Sequence, residues 1–333
     1  MKLSVIVPVY NKAPFIEECF ASIFSQSFDD FELIIVDDKS TDNSLEVLRS
    51  LDDQRMRIVP LDRNLGPAGA AQRAMDLARG EFIIRVDADD INLPGRFARQ
   101  IAFMEKRPEL GASGGHLELI GAESGIWKYP IGIEACRAEL LFSLPVSQGA
   151  SILRTEVLRR NDIRFKDDWP RIGEDWLLWV ELSRYSEFDN LDEPVIQYRR
   201  GVQNSAHGVD QASYRESIYR QVFDMLQVPL TPRQAELHLL TIHTFKSDPD
   251  EQIIVEYRHW LEHLKKWNLE HGRFPEAAFA KRVERAWEHV FHFLPPYGWS
   301  PAWAHYRSSP VQDRRKLMYM LKYRLAKTFG RLP

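Results

Sequence analysis

The chain has 333 residues, of which 44% are hydrophobic, and a formal net charge of −4. This length suggests one large or two modest domains with enough apolar side chains for a core, and the negative charge argues against a nucleic-acid-binding protein. Cys19 and Cys136 are far apart and belong to no Cys/His cluster, so we expect buried, reduced thiols in a cytoplasmic protein. The first ten residues carry a short apolar run broken by Pro8, which is not the pattern of a signal peptide. Because no window approaches the roughly 20 apolar residues of a membrane span, we expect a soluble or peripheral protein.

Strand and helix patterns alternate over the first 106 residues. Apolar runs rich in β-branched residues predict strands at 3–9, 32–37, 57–61 and 81–86. Apolar positions that recur every three to four residues predict four helices. The first covers 13–27, the second ends at about 51, the third ends at 79, and the fourth runs from Pro94 to 106. We expect Ser40, Thr41 or Asp42 to cap the second helix. The alternation predicts an α/β fold with a Rossmann-like, mainly parallel sheet and helices on both faces.

The pattern changes after residue 111. We expect β structure with irregular loops at 112–131, a final strand at 194–199, and helices at 134–142, 154–160 and 173–185. After about residue 210 only helical patterns follow. The sequence therefore predicts a first domain at 1–208 and an α-helical C-terminal region at 209–333.

Two of the predicted strands end in acidic residues. Asp37 and Asp38 follow the strand FELIIV, and Asp87, Asp89 and Asp90 follow the strand in GEFIIRV. Since the carboxyl ends of parallel strands meet at one edge of a sheet, this edge is the expected site. Carboxylate oxygens suit Mg²⁺ or Mn²⁺ that holds a diphosphate.

With these segments in view, the chain resembles the family 2 glycosyltransferases, which have the GT-A fold. The segments that carry the resemblance lie in the first 205 residues or so: VIVPVYN (5–11), IIVDDKSTDNS (34–44), NLGPAG (64–69), RGEFIIRVDADD (79–90) with LPGRF (93–97), and GED-W (173–176). The resemblance implies a glycosyltransferase of the hexosyltransferase class that uses a nucleotide-sugar. It does not extend to the last 120 residues or so.

The resemblance implies a set of residues that contact the donor. The segment with Pro8 and Tyr10 lines the base and its ribose, and the Asp38 carboxylate accepts the imide N–H of uracil. Such a contact rejects bases that lack this donor, because the buried carboxylate would otherwise be unpaired. The full set of expected donor contacts is Pro8, Tyr10, Asp38, Gly66, Asp87 and Ala88.

Asp87, Ala88 and Asp89 match the DXD motif of the family. The resemblance implies that Asp89 binds Mn²⁺ or Mg²⁺ directly, and that Asp87 contacts the ribose or reaches the ion through water. His207 is a further candidate ligand, because imidazole also suits Mn²⁺. Asp90 has two open interpretations, a site residue and an acid in the first turn of a helix.

Glu174 and Asp175 open the predicted helix before Trp176. In the family this pair lies beneath the acceptor, so the resemblance implies that Asp175 is the general base and that Glu174 orients acceptor or base. Arg199 and Arg200 are candidates for contacts with the diphosphate.

The chain departs from the family at one place. Relatives often carry Ala-Arg-Asn in the helix after the NLG segment, whereas this chain has Ala70-Ala71-Gln72. A basic contact with phosphate or sugar is therefore in doubt at this position, and Arg73 is expected on another side of the helix.

The resemblance implies an inverting, metal-dependent enzyme that moves a sugar from a UDP-sugar to a hydroxyl of a glycan or a lipid-linked oligosaccharide, in bacterial surface polysaccharide synthesis. Within enzymes, the alternative is a dTDP- or GDP-sugar donor, although Asp38 favours uracil or thymine over guanine. From another class, the alternative is a non-catalytic glycan-binding protein on the same fold, against which the intact Asp87, Asp89 and Asp175 argue.

The tail from 314 to 333 carries seven Lys or Arg residues and no acidic residue. Leu317, Leu321, Leu325 and Phe329 recur every four residues, which predicts a basic amphipathic helix. Three interpretations stay open. The Leu stripe packs on its own domain, it binds a partner, or it lies on an anionic membrane, which would make the chain a peripheral protein on the inner face of that membrane.

Overall fold

The computed structural model describes residues 1–201 and 210–328. The chain forms two compact units, residues 1–208 and 209–333. The first unit contains the sheet, and the described part of the second unit is helical.

The first half of the N-terminal unit alternates strands and helices, as expected. Its elements are β1 (Leu3–Val9), α1 (Ala13–Phe24), β2 (Phe31–Asp37), α2 (Ser44–Ser50), β3 (Met56–Pro60), α3 (Gly66–Leu77), β4 (Phe82–Arg85), β5 (Ile91–Asn92) and α4 (Arg96–Glu105). The N-cap residue of α2 is Asn43, one residue after the expected Ser40, Thr41 or Asp42, and it has no side-chain cap. The Asp42 carboxylate nevertheless accepts a 2.9 Å hydrogen bond from the amide of Ser44, the first residue of α2, and a 3.2 Å hydrogen bond from the amide of Ala13 at the start of α1.

The second half of this unit is more irregular. It contains β6 (Leu110–Gly121), β7 (Gly125–Trp127), α5 (Ile133–Glu139), β8 (Ile152–Arg154), α6 (Thr155–Arg160), α7 (Glu174–Leu182) and β9 (Glu187–Arg200). The sequence pattern missed β8, which has only three residues, and it placed the start of β9 seven residues too late.

The described strands form one sheet in the order β3-β2-β1-β4-β8-β6-β9-β5, with β7 paired to β6. Strands β1 to β4 are parallel, and β9 is parallel to β6. The pairs β4–β8, β6–β8, β6–β7 and β5–β9 are antiparallel. The expected mainly parallel sheet is confirmed, with antiparallel pairs in its second half.

Helices cover both faces of the parallel strands because alternate residues of each strand point to opposite faces. Leu3, Val5 and Val7 of β1 pack with Ile16 and Phe20 of α1 in one core cluster. Helix α3 packs against β1 and β2, with its buried residues Ala70, Ala71, Ala74 and Met75. The small Ala side chains allow this helix to approach the sheet closely. Cys19 and Cys136 are free and buried, as expected.

The described part of the C-terminal unit consists of α8 (Gln211–Met225), α9 (Pro232–His238), α10 (Glu251–His271), α11 (Glu276–Val290), α12 (Trp299–Ser308) and α13 (Arg314–Thr328), with short 3₁₀ turns between them. Its core contains Tyr219, Phe223, Tyr257, Trp260 and Trp287. In the part of the chain that the structure describes, no helix has the length and apolar character needed to cross a membrane.

The tail helix α13 does not bury the stripe that its Leu spacing suggested. Lys316 pairs with Glu288 at 2.7 Å, and Met320 is 3% exposed, whereas Leu321 is 46% and Leu325 is 57% exposed. The expectation that the Leu stripe packs on the domain is therefore wrong for Leu321 and Leu325. The packed side of α13 is the one with Lys316 and Met320. Phe329 lies outside the described residues.

Candidate active site

The acidic residues meet at one edge of the sheet because β1, β2 and β4 are parallel neighbours. Beyond the paired strands, the amide of Asp38 donates to the carbonyl of Val9 at 2.8 Å, and the amide of Val86 donates to the carbonyl of Ile6 at 3.0 Å. Pro8 lies in β1 opposite Val36. The pairing of β1 with β4 ends before Pro8, consistent with its missing N–H.

The loop after β1 is fixed by the loop after β2. Asn11 has a positive φ of 51°. Its amide donates to Ser40 Oγ at 3.1 Å, and its side-chain oxygen accepts from the amide of Thr41 at 2.8 Å. Tyr10 stands beside this junction and is 45% exposed. The loop is therefore preorganised, and Tyr10 is accessible to a ligand.

Asp38 is buried and binds the start of α3. Its carboxylate accepts from the amides of Leu65 at 2.6 Å and Gly66 at 2.9 Å. Burial raises the pKa of Asp38, although these two amides and the charge of Arg171 oppose the shift. Gly66 has a φ of +79°, and a Cβ there would lie 3.8 Å from Cζ of Arg171. The structure thus brings Asp38, Gly66 and Arg171 together.

In the DXD segment, two carboxylates pair with basic side chains. Asp87 accepts from Arg85 Nε at 3.0 Å, and Asp89 lies 2.6 Å from Lys12 Nζ. Burial raises the pKa of Asp89, and the charge of Lys12 opposes this. Ala88 between them is 2% exposed and belongs to the core. The core therefore anchors the segment while both carboxylates point to basic partners.

Asp90 is part of the same charged group rather than a solvated acid in a helix, so the first of its two interpretations is supported. Its Oδ1 accepts from the amide of Arg199 at 2.9 Å, and its Oδ2 is buried without a hydrogen-bond partner. Burial, followed by the charges of Asp87 and Asp89, raises the pKa of Asp90. A Cβ on Gly149 would lie 2.7 Å from Asp87 Oδ2 and 3.5 Å from Asp90 Oδ2. Glycine at 149 therefore leaves room for two converging carboxylates.

Hard divalent cations prefer carboxylate oxygens as ligands. The converging carboxylates of this site offer such oxygens, and one of them is buried without a hydrogen-bond partner. Within residues 1–201 and 210–328, no three His, Cys, Asp or Glu side chains come together as a metal site. The expected ligand His207 lies outside the described residues. Of the expected ligands, the structure places Asp87 and Asp89 together, and Lys12 binds one oxygen of Asp89.

The two arginines at the end of β9 have partners within the protein. Arg199 donates from Nε to the carbonyl of Asp89 at 3.0 Å and from Nη2 to Glu18 at 2.5 Å. Arg200 pairs with Glu123 at 3.1 Å. In this structure Arg199 therefore holds the backbone of the DXD segment.

Glu174 and Asp175 begin α7, directly after Gly173, whose φ is +87°. Glu174 is 6% exposed. Burial, followed by the negative charge of Asp175, raises the pKa of Glu174 to about 8, while the positive charge of Arg85 opposes the shift. Asp175 is half-buried, and its Oδ1 accepts from the amide of Trp176 at 2.9 Å. At neutral pH the pair thus contains a protonated Glu174 beside Asp175.

Arg85 links the two acidic groups. It pairs with Asp87, and the charges of both Arg85 and Asp87 act on Glu174. One Nη of Arg85 is buried without a hydrogen-bond partner. The structure thus places Asp87 of the DXD segment and Glu174 of α7 near one buried guanidinium.

Sequence reasoning missed Lys12, Arg85, Gly149 and Arg171. Lys12 follows the Tyr10-Asn11 loop and Arg85 ends β4, so a rule that counts basic residues at the carboxyl edge of the sheet would have found both. Gly149 and Arg171 lie in irregular segments, where no periodic pattern gives a position. Ala71, which stands where relatives often carry a basic residue, is fully buried, and Arg171 lies beside Gly66.

Comparisons with known proteins find relatives of this chain among glycosyltransferases. Residues 4–159 match the family model of glycosyl transferase family 2. An uncharacterized glycosyltransferase of Haemophilus influenzae is 32% identical over 211 residues, which are 59% of this chain and 65% of that protein. The poly(ribitol-phosphate) beta-glucosyltransferase of Bacillus spizizenii is 40% identical over 95 residues, which are 27% of this chain and 15% of that protein. The chain therefore spans less than two thirds of the length of both relatives.

Solved structures show the same architecture. S. aureus TarS 1–349 in complex with UDP-GlcNAc has a TM-score of 0.60 and 20% identity, over 87% of this chain and 92% of that chain. The same protein in complex with UDP has a TM-score of 0.58 over the same shares. At this identity the likeness concerns the fold, and the expected GT-A fold is confirmed.

Proposed function

We propose that this chain, whose residues 4–159 match the family model of glycosyl transferase family 2, is an inverting, metal-dependent glycosyltransferase that moves a sugar from a UDP-sugar to a hydroxyl group of a glycan. The observation that carries the proposal is the convergence of two acidic groups from separate segments. The charge of Asp87, in the DXD segment, acts on Glu174 at the start of α7. A donor diphosphate at the first group and an acceptor at the second would meet between them.

Asp175 is the proposed general base. The acceptor oxygen forms the new bond to the anomeric carbon, and the bond from that carbon to the diphosphate oxygen breaks with its electron pair. The proton of the acceptor hydroxyl passes to the Asp175 carboxylate, and the nucleoside diphosphate leaves. A single base on the face opposite the leaving group gives inversion.

Glu174 has a separate role because its environment differs from that of Asp175. Burial keeps it protonated at neutral pH, so it can donate a hydrogen bond as well as accept one. We assign it the orientation of the acceptor hydroxyl or of Asp175. Two adjacent carboxyl groups with different burial can thus divide acid and base tasks.

The DXD segment is the proposed site of Mn²⁺ or Mg²⁺. Asp87 and Asp89 would hold the ion, with His207 as a further candidate ligand, and a bound ion there would neutralise the charge that develops on the departing diphosphate. Lys12 stabilises the Asp89 carboxylate through its 2.6 Å contact. It must release one oxygen of Asp89 before that oxygen can bind a metal.

The proposed donor carries uracil. The buried Asp38 carboxylate lies at the sheet edge beside Gly66, where it can accept a hydrogen bond from an imide N–H. Uracil and thymine have such an N–H group, and cytosine does not. TarS was solved with UDP-GlcNAc and UDP, which is in line with this choice. A dTDP-sugar satisfies the same contact and is the alternative donor.

The proposed acceptor is a glycan or a lipid-linked oligosaccharide of a bacterial surface polymer. Two relatives are described as a poly(ribitol-phosphate) beta-glucosyltransferase and a putative teichuronic acid biosynthesis glycosyltransferase. The exposed Leu321 and Leu325 on the basic helix α13 support a position on an anionic membrane face, where a lipid-linked acceptor would be found.

The test is a screen of UDP-, dTDP- and GDP-sugars for release of the nucleoside diphosphate, with Mn²⁺, with Mg²⁺ and with EDTA. We expect release from a UDP-sugar that requires the metal and is abolished in Asp89→Ala. A parent protein that binds glycans but releases no nucleoside diphosphate from any donor would instead indicate the non-catalytic alternative. Full activity in EDTA would overturn the metal requirement alone.

A further inference from the structure

Three aromatic side chains, one of them exposed, contact each other at the end of the sheet near the acidic groups. We call Trp127, Tyr129 and Tyr198 the aromatic ledge. The rings of Trp127 and Tyr129 are stacked with centroids 6.2 Å apart, and Trp127 meets Tyr198 edge to face at 6.4 Å. Trp127 is 46% exposed on the short strand β7. Trp127 is therefore the exposed ring of the ledge, whereas Tyr129 and Tyr198 are partly buried.

Strand pairing fixes the position of the ledge. Trp127 pairs with Leu117 of β6, and Tyr198 of β9 pairs with Leu119. Tyr129 and Tyr198 pack against a buried cluster that contains Leu117. Leu119 packs against the same cluster. Because two of the three rings rest on this cluster, the ledge keeps its shape without a ligand.

One position next to the ledge is left open. Gly125 pairs with Leu119, in the same row of the sheet as Tyr198. A Cβ added to Gly125 would meet no atom within 4 Å. Among the described residues, no atom fills the space at Gly125, two positions before Trp127, and a ligand on Trp127 could extend into it.

The ledge lies near the proposed catalytic groups. The residue after Tyr198, Arg199, donates its amide to Asp90 at 2.9 Å. Burial, followed by the negative charges of Asp90 and Asp87, raises the pKa of Tyr198. Asp87 in turn acts on Glu174. A ligand on Trp127 would thus extend along Tyr198 towards the acidic groups.

The chemistry of the ledge suits a sugar ring. An aromatic face carries partial negative charge, and one face of a pyranose presents C–H groups that are apolar and weakly positive. Arg200 lies over part of the Trp127 ring, with its Cζ 5.9 Å from the ring centroid, and it pairs with Glu123. These two polar side chains can bind the equatorial hydroxyls of a sugar ring that covers the rest of Trp127.

We infer that the aromatic ledge is a subsite for a pyranose ring of the acceptor glycan, with Trp127 as its main contact. The assignment of the bound sugar to the acceptor rests on the proposed function. The binding of a pyranose by Trp127 does not depend on it. The donor is expected to bind elsewhere, at the edge formed by Asp38 and the DXD segment.

The experiment measures binding of methyl β-D-glucopyranoside, methyl β-D-galactopyranoside and methyl N-acetyl-β-D-glucosaminide by saturation-transfer NMR. We expect at least one of them to bind the parent protein through its axial ring hydrogens. Trp127→Ala should weaken this binding about threefold to tenfold, as expected for loss of an aromatic contact. Trp127→Phe keeps a ring and should retain most of it.

Two controls separate a local effect from a general one. Tyr185→Ala removes another exposed aromatic side chain of the same unit, which is 50% exposed, and should leave binding unchanged. The affinity for UDP, measured by calorimetry, should be equal in the parent and in Trp127→Ala.

Three results would overturn the inference: no pyranoside binds the parent protein, Trp127→Ala binds as tightly as the parent, or Trp127→Ala weakens UDP binding, which would assign the ledge to the donor. Failure of the proposed function has a different signature. In that case no nucleotide-sugar is turned over, while pyranoside binding still depends on Trp127.

Discussion

The ammonium nitrogen of Lys12 lies 2.6 Å from Oδ2 of Asp89. This contact joins the loop after β1 to the segment after β4, and both partners are mostly buried. A basic side chain of the protein thus neutralises a carboxylate that is also the proposed ligand of a divalent cation. The contact leads to the first of five predictions.

Lys12→Met should tighten the binding of Mn²⁺ and destabilise the metal-free protein. Lys12 competes with the ion for Asp89, and its loss leaves a buried carboxylate unpaired, at a cost of a few kcal/mol. Titration with Mn²⁺ and thermal melting with and without MnCl₂ measure both effects. Lys106→Met, at an exposed lysine, is the matched control. Weaker Mn²⁺ binding in Lys12→Met would show that Lys12 supports the ion rather than competing with it.

Asp175→Asn should lower turnover by about 10²-fold or more, the scale of a lost general base, while the affinity for UDP stays near that of the parent. The amide cannot accept the proton of the acceptor. Glu174→Gln should be milder, because the Gln side chain keeps a hydrogen-bond donor where the protonated Glu174 has one. Initial rates with saturating donor and calorimetry with UDP test this. If Glu174→Gln loses turnover and Asp175→Asn keeps it, the base is Glu174.

Asp38→Asn should weaken the binding of UDP about tenfold or more, because hydrogen bonds to a charged group contribute about 1.5–3 kcal/mol. It should also reduce the preference for UDP over CDP, whose ring has an acceptor where uracil has the imide N–H. Calorimetry with the two nucleotides gives both values. Since Asp38 also binds the amides of Leu65 and Gly66, Asn is preferred to Ala, and a melting curve must show that the variant is folded. Equal affinities in variant and parent would place the base elsewhere.

The free energy of unfolding should decrease as the pH rises from about 5 to above 8, because Glu174 keeps a proton in the folded protein that it has lost in the unfolded chain. Its carboxyl has a pKa of about 8 in the folded protein and about 4.3 in an unfolded chain. The folded state therefore binds more protons in this window, and the free energy of unfolding decreases with pH. Glu174→Gln cannot titrate, so its melting temperature relative to the parent should increase between pH 5 and pH 8.5.

Melting in EDTA at several pH values measures this difference. Glu46→Gln, at an exposed acid of α2, should run parallel to the parent. A constant difference between Glu174→Gln and the parent across the window would mean that Glu174 titrates at its ordinary pKa.

Replacing Leu321 and Leu325 with Ser should release the protein from anionic vesicles without lowering its melting temperature. Both side chains are exposed, so the fold does not depend on them. The charge attraction of about 1 kcal/mol per Lys or Arg near the surface is screened by salt, so the release should be clearest at high salt. Co-sedimentation with phosphatidylserine vesicles at low and high salt is the measurement. Met320→Ser, on the buried side of α13, should lower the melting temperature instead. Unchanged sedimentation of the Leu321/Leu325 variant would retire the membrane interpretation.

The sequence by itself determined the framework of this protein. Period-two and period-3.6 patterns gave the parallel strands and their helices, because one side of each element must be buried. Asp38 and Asp87 could be placed at one edge because parallel strands carry their carboxyl ends there. Short segments such as β8 and the exact start of β9 were not predictable, since three residues carry no period.

Only the tertiary structure decided the partners of these residues. Lys12 reaches Asp89 across 77 positions, and Gly149 makes room for Asp87 across 62 positions, with a Cβ to oxygen distance of 2.7 Å. It also decided which side of α13 is buried, because the Leu spacing is equally compatible with a packed and an exposed stripe. Contacts of this kind depend on how distant segments pack in space, and a local pattern contains no information about that packing.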